Sequence, residues 1–212
     1  MGIVCSVSKV AKTMAFLGIR SIVHKKFKKR KSSMSEKEKT LIVNLVKNLK
    51  ITRINQVWTT DISYILTNDG TYYLISFMDL YSRRIVAWEL RKDQKTESII
   101  AVLDEAIKKR KPKPGLIIHS DKGTQFRSDL YRSKLRKHNF VFSYTSLNHS
   151  CDENSWQESF HGLLKREYLY QKKLYTYEDA YRVIYDYIEG FYNPIRMHSA
   201  LNYLSPIDFE KI

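Results

Sequence analysis

The run from Val57 to Leu66 constrains this chain most. Val57, Trp58, Ile62, Tyr64, Ile65 and Leu66 give it the bulk of a buried strand, yet Asp61 sits at its centre. An ionised carboxylate away from water needs a metal, a basic residue or a backbone donor. Any fold for this chain must bring such a partner to the middle of a strand.

Two further strand patterns follow at short spacing, Thr71–Met78 and Arg84–Leu90. Asn68-Asp-Gly70 and Leu80–Arg83 form the connections, so the first three strands read as an antiparallel meander. Residues 95–110 carry Ile99, Val102, Leu103, Ala106 and Ile107 at helical spacing, and Pro112, Pro114 and Gly115 end that helix. Leu116–His119 is a short apolar strand of the kind found inside parallel sheets. A helix at 128–138, a strand at 140–145 and helices at 153–168 and 176–192 complete the pattern. In the last of these, Ala180, Ile184, Tyr187, Ile188 and Phe191 form the inward face. The order β-β-β-α-β-α-β predicts an α/β fold of ribonuclease H-like type, a mixed five-stranded sheet flanked by helices. A doubly wound fold is the alternative, but it has no leading meander.

Charge divides the chain. Residues 1–60 hold 14 Lys/Arg against 2 Asp/Glu, and residues 61–212 hold 23 against 20. The excess is therefore a basic N-terminal arm, densest at Lys25, Lys26, Lys28, Lys29 and Arg30. Such an arm suits a phosphate backbone through counterion release; a solvated linker is the plainer reading. Residues 3–17 have helical spacing that Gly18 can close, and the polar run 32–39 reads as a linker. We divide the chain into an arm, 1–50, and a core with C-terminal helices, 51–212. No apolar run approaches the ~18–20 residues that cross a membrane, and no signal-peptide pattern is present, so a cytoplasmic protein is expected. Cys5 and Cys151 have no zinc-site spacing.

Asp121 follows the fourth strand in His119-Ser-Asp-Lys-Gly-Thr-Gln125, where Gly123 permits a tight turn. Asp-x-Gly is also an ordinary loop sequence. On the helix at 153–168, Trp156, Phe160, Leu163 and Leu164 mark a core face. Glu158, Gly162 and Lys165 share the opposite face, with Gly162 leaving a gap that a DNA backbone could approach. A solvated face is the alternative. Ser150–Glu153 fits a capping box for this helix. His119 fits either a site-orienting or a structural role. Asp79, before Tyr81-Ser-Arg83, reads as a turn residue or an arginine partner.

Five ordered motifs carry a resemblance. They are Trp58-x-x-Asp61-Ile-Ser-Tyr64, Met78-Asp-Leu-Tyr-Ser-Arg-Arg-Ile-Val-Ala-Trp88, His119-Ser-Asp-x-Gly-x-Gln-Phe126, Asn154-Ser-Trp-Gln-Glu-Ser-Phe-His-Gly-Leu-Leu-Lys-Arg-Glu167, and Tyr192–Leu201 with Ser205-Pro206. Together they resemble the retroviral-integrase-like core of bacterial insertion-sequence transposases of the third family, over about residues 40–210. The resemblance implies an Asp-Asp-Glu triad of Asp61, Asp121 and Glu158, holding two Mg²⁺ ions, with Mn²⁺ as substitute. It implies nicking of transposon ends and 3′-hydroxyl strand transfer on double-stranded DNA, by a multimer assembled on DNA, in the bacterial nucleoid. A first-frame transposase protein is an expected partner. Lys165 matches the family's DNA-contacting lysine, and Asn154, Lys122, Gln125 and Arg196 are further expected contacts. Between Asp121 and Glu158 lie 36 residues, one more than is usual in that family, and we assign the extra residue to 146–151. Asp152-Glu-Asn154 departs from the family's Asp-Asn. Of its helix-turn-helix region, only the last helix is expected here. A catalytically inactive DNA-binding remnant that regulates the intact transposase is the competing reading.

Overall fold

The computed structural model describes residues 5–19, 44–145 and 154–212. The basic run at 25–30, the linker at 32–39, the capping box at 150–153 and the segment assigned the extra residue lie outside them. Two compact units are present, Met1–Met34 and Ser35–Ile212. In the first, α1 (Val7–Phe16) begins at Ser6, whose hydroxyl accepts from Lys9 N–H and so satisfies one of the helix's unpaired N-terminal donors. Gly18, at φ 65°, follows its end.

The second unit is built on β1 (Val57–Leu66), β2 (Thr71–Asp79), β3 (Ile85–Arg91), β4 (Ile117–Ser120) and β5 (Val141–Tyr144), in the order β3-β2-β1-β4-β5. β1 pairs antiparallel with β2, and β2 with β3, while β1–β4 and β4–β5 are parallel. This is the mixed ribonuclease H-like sheet expected from the element order. The parallel half needs crossovers, supplied by α2 (Thr96–Arg110) before β4, then by α3 (Thr124–Arg127) and α4 (Asp129–Lys137) before β5. The single turn α3 was not anticipated.

Strand alternation sorts side chains between two layers. Trp58, Ile75 and Phe77 pack with Ile99, Leu103 and Leu135 from α2 and α4. On the other side, Ile65, Leu74 and Met78 pack with Phe160 and Leu164 of α5 (Ser155–Glu167) and with Ala180 and Ile184 of α6 (Tyr177–Tyr185). Each large apolar side chain buried this way contributes about 1.5–3 kcal/mol. Asp61 has the parity of Ile65, and Ser76 that of Leu74, so both belong to the α5 side.

The expected helix at 176–192 changes character halfway. A capping box of Thr176 and Asp179 starts α6, which continues from Asp186 to Tyr192 as a wider π-helical coil. The extra residue per turn keeps Tyr187, Ile188 and Tyr192 all buried. Asn193 ends it by bonding both the N–H and the C=O of Ile85. The chain finishes in α7 (Pro206–Phe209), followed at once by Glu210. Among the described residues no helix is long and apolar enough to cross a membrane.

Candidate active site

β1 and β4 are in parallel register at Trp58 with Ile118 and at Thr59 with His119. Asp61 and Asp121 each stand two residues beyond the last of these pairs. The two carboxylates sense each other: the charge on Asp61 helps to raise the Asp121 carboxyl above its usual range. Desolvation by the surrounding chain is the larger cause, and the Gly123 N–H, donating to Oδ1 at 2.9 Å, offsets part of it. Asp121 is exposed to solvent, so this desolvation is partial. Gly123 is needed for close approach rather than for unusual backbone angles. A Cβ there would stand 3.0 Å from Asp121 Oδ1 and 2.9 Å from Gln125 Oε1.

The partner that Asp61 demanded is His161. Its Nδ1 lies 3.4 Å from Asp61 Oδ2, and both side chains are largely covered. Behind it stands a buried polar network that apolar periodicity did not disclose. Gln157 Nε2 donates to Thr59 O at 2.9 Å, which aims Oε1 at Ser76, and the Ser76 hydroxyl donates to it at 3.1 Å. Ser76 Oγ also stands 3.1 Å from His161 Nε2, so the two ring nitrogens face Ser76 and Asp61. Gln157 and His161 are therefore two functional candidates that the sequence reading missed. The available signal was their spacing of four, which puts two polar side chains side by side along the buried stripe of Phe160 and Leu164.

Glu158 stands on the first turn of the same helix and is exposed. The structure brings Asp61 and Asp121 together. Among the described residues it does not gather three or more His, Cys, Asp or Glu side chains into a group able to hold a metal ion. Two neighbouring carboxylates, one lifted chiefly by desolvation and further by the other's charge, are a hard oxygen donor pair that a divalent cation would stabilise. Asp61 and Asp121 fit such an ion, with Glu158 on the adjoining helix.

Lys165 is one turn beyond His161 and half-buried. Burial lowers its ammonium from the usual range, and the charge of Asp61 opposes that shift. Asn154 is buried at the start of α5, and its Oδ1 accepts no hydrogen bond among the described residues. Gln125 is half-buried in α3 and near the Gly123 turn. Lys122, expected at DNA, is instead buried with its ammonium inside the protein. Arg196 is half-buried and paired with Glu167 at 2.8 Å, which ties the C-terminal segment to the end of α5. The gap expected at Gly162 is covered, because Arg166 Nη1 lies 3.6 Å from where a Cβ would stand. His119 is fully buried and bonded to Ser143 on β5 at 2.9 Å, a structural position.

Asp79 is an arginine partner in a turn. It accepts from the N–H groups of Asn55, Tyr81 and Ser82 and lies 3.8 Å from Arg110.

Residues 51–150 and 158–212 match family models described as integrase core domain. The transposase for insertion sequence element IS904 of Lactococcus lactis subsp. lactis (strain IL1403) is 35% identical, over 99% of this chain and 82% of that protein. Transposase InsF for insertion sequence IS3A of Escherichia coli (strain K12) is 31% identical, over 97% of this chain and 70% of that protein. The HTLV-2 integrase catalytic core domain in complex with magnesium (trimeric form) superposes with a TM-score of 0.56 at 16% identity, covering 74% of this chain and 96% of that one. That likeness is one of fold. The chain belongs to the integrase-core transposases of bacterial insertion sequences.

Proposed function

We propose that the Ser35–Ile212 unit nicks transposon ends and joins their 3′-hydroxyl groups to target DNA, with Asp61, Asp121 and Glu158 as the acidic residues of the reaction. The observation that carries this reading is the adjacency of Asp61 and Asp121, near enough for the charge of one to act on the other. In nicking, water oxygen forms a bond to phosphorus as the bond to the 3′-oxygen breaks, and that oxygen leaves with a proton. In joining, the freed 3′-hydroxyl takes the place of water. A divalent ion, Mg²⁺ or Mn²⁺, would there supply acidification of the attacking hydroxyl and neutralisation of charge on the phosphate. Asp61 and Asp121 would hold such ions, with Glu158 as a further ligand from α5. His161 holds the Asp61 carboxylate in place. Lys165 supplies a positive charge beside Asp61, suited to a DNA phosphate. Action on paired DNA ends as a multimer, a first-frame partner protein, a cytoplasmic, nucleoid-associated setting and DNA contact by the basic arm belong to the same proposal.

One observation favours a second reading, a DNA-binding protein without catalysis: Glu158 does not join the two aspartates in a metal-binding group among the described residues. Labelled terminal-repeat DNA, incubated with the full chain and Mg²⁺ or Mn²⁺, separates the two. Nicked and target-joined products that disappear with a chelator are expected. DNA binding with neither product would establish the second reading, and nicks alone would reduce the first to a nuclease.

A further inference from the structure

Beyond Lys165, toward the far end of β1, the surface opens into a groove of about 760 Å³. The reaction above leaves it without a role. Tyr64, Tyr170 and Tyr175 line it, and all three are more than half exposed. Lys165, Lys172 and Lys173 line it too, and among the described residues no acidic one does. Buried Ile65 and Leu169 form its floor. The Lys172 ammonium lies over the ring of Tyr168, 5.6 Å from its centre, so an aromatic–cation contact already exists at this rim.

The groove is continuous with the acidic site. Lys165 both lines it and is close enough to Asp61 for that charge to act on its ammonium. Ile65, on its floor, has the same strand parity as Asp61 and so faces the same side of β1. The charge of the lining selects an anion, and the exposed ring surface selects a flat apolar group. Bases that stack while their phosphates meet lysines have both properties. The volume lies within the roughly 300–1,000 Å³ of small-ligand sites. That accommodates a nucleotide or two and excludes a double helix.

We propose that this groove binds an unpaired stretch of DNA strand leading away from the phosphate at Asp61. The assignment rests on the reading of the chain as a DNA strand-transferase. It places strand separation next to the reaction site, with tyrosines taking over the stacking that the bases lose when the duplex opens.

The test uses the full chain and two probes, a short single-stranded oligothymidylate carrying 2-aminopurine and a blunt duplex of unrelated sequence. Binding of the single strand should quench the 2-aminopurine emission, and combined Tyr170→Ala and Tyr175→Ala should remove most of that quench. Combined Lys172→Gln and Lys173→Gln should weaken single-strand binding about tenfold. Two lost phosphate contacts should make the salt dependence shallower by about 1.4 in log–log slope. Duplex affinity should change less than twofold. All four side chains are on the surface, and an unchanged melting temperature confirms folding. Equal losses for both probes would overturn the proposal, as would a quench that survives the tyrosine changes. So would displacement of the oligonucleotide by an acidic peptide of equal charge at the same concentration, which would mark a protein-docking surface. Asp121→Asn keeps the two readings apart. It should abolish joining while leaving single-strand binding intact, whereas failure of the groove alone would leave joining intact and binding unaffected by the four substitutions.

Discussion

Asp79 and Asp121 each stand where a strand ends, and each precedes a tight turn. Their surroundings are opposite. Asp79 is fully buried and accepts three backbone N–H groups, with Arg110 beside it. Burial pushes its carboxyl up while those donors pull it back. Asp121 is exposed, accepts one N–H, and has a second acid for a neighbour. A carboxylate whose lone pairs are filled by the fold is part of the fold. A carboxylate left beside another is destabilised until a cation or proton arrives, and such placement is characteristic of reaction sites.

Substitution can break this contrast. Asp121→Asn should cut strand joining more than about a hundredfold, the scale of losing one preorganised electrostatic group. The melting temperature should hold, because a repulsion is removed; a lowered one would make Asp121 structural. Asp79→Asn should do the reverse. It replaces an acceptor of three N–H bonds with a weaker one, at about 2–3 kcal/mol. In a chain of this size that lowers the melting temperature by about 4–12 °C. Activity per folded molecule should persist, and its loss at unchanged stability would make the two aspartates alike.

His161→Ala tests the support beneath Asp61. Joining should fall about tenfold or more, as when a ligand's orienting partner is removed, and metal titrations should show a higher Mg²⁺ requirement. His161→Asn, whose amide can occupy the place of Nδ1, should restore part of both. A loss of stability with unaltered Mg²⁺ dependence would show the network to be packing alone.

The smallest effect concerns the cluster around Asp79. Glu210 bonds Arg84, Arg110 and Ser82, more than 90 residues away in sequence. These partners hold its carboxyl below the ordinary 4.5 although burial opposes them. A depressed folded value means stability that is fully present above about pH 4.5 and lost as pH falls through the lower folded value. Glu210→Gln should cost about 1–2 kcal/mol at pH 7 and flatten acid unfolding in that window. An unchanged acid limb would remove Glu210 from the cluster's energetics.

Much of this architecture was legible in the sequence because its causes are local. Period-two apolar runs marked β1 to β3, helical stripes marked α2 and α5, and the short Leu116–His119 run marked the interior strand. An acid in the middle of β1 was visibly out of place. Other features have causes far along the chain. Gln157 and His161 look like interruptions of an apolar stripe until β2 brings Ser76 beneath them from 81 and 85 residues away. Whether Lys122 is buried, or Arg166 covers Gly162, depends on neighbours that no spacing rule specifies.

The sequence by itself determined the strands and helices, the five-motif resemblance and the candidate acids, since propensity, periodicity and residue chemistry are written residue by residue. Tertiary structure alone decided which acids are satisfied. It closed Asp79 with backbone donors and Arg110, brought Asp121 near enough to Asp61 for the charge of one to act on the other, and placed His161 against Asp61. A carboxylate's protonation and partners depend on the charges and donors that folding brings near it, and those come from strands and helices distant in sequence.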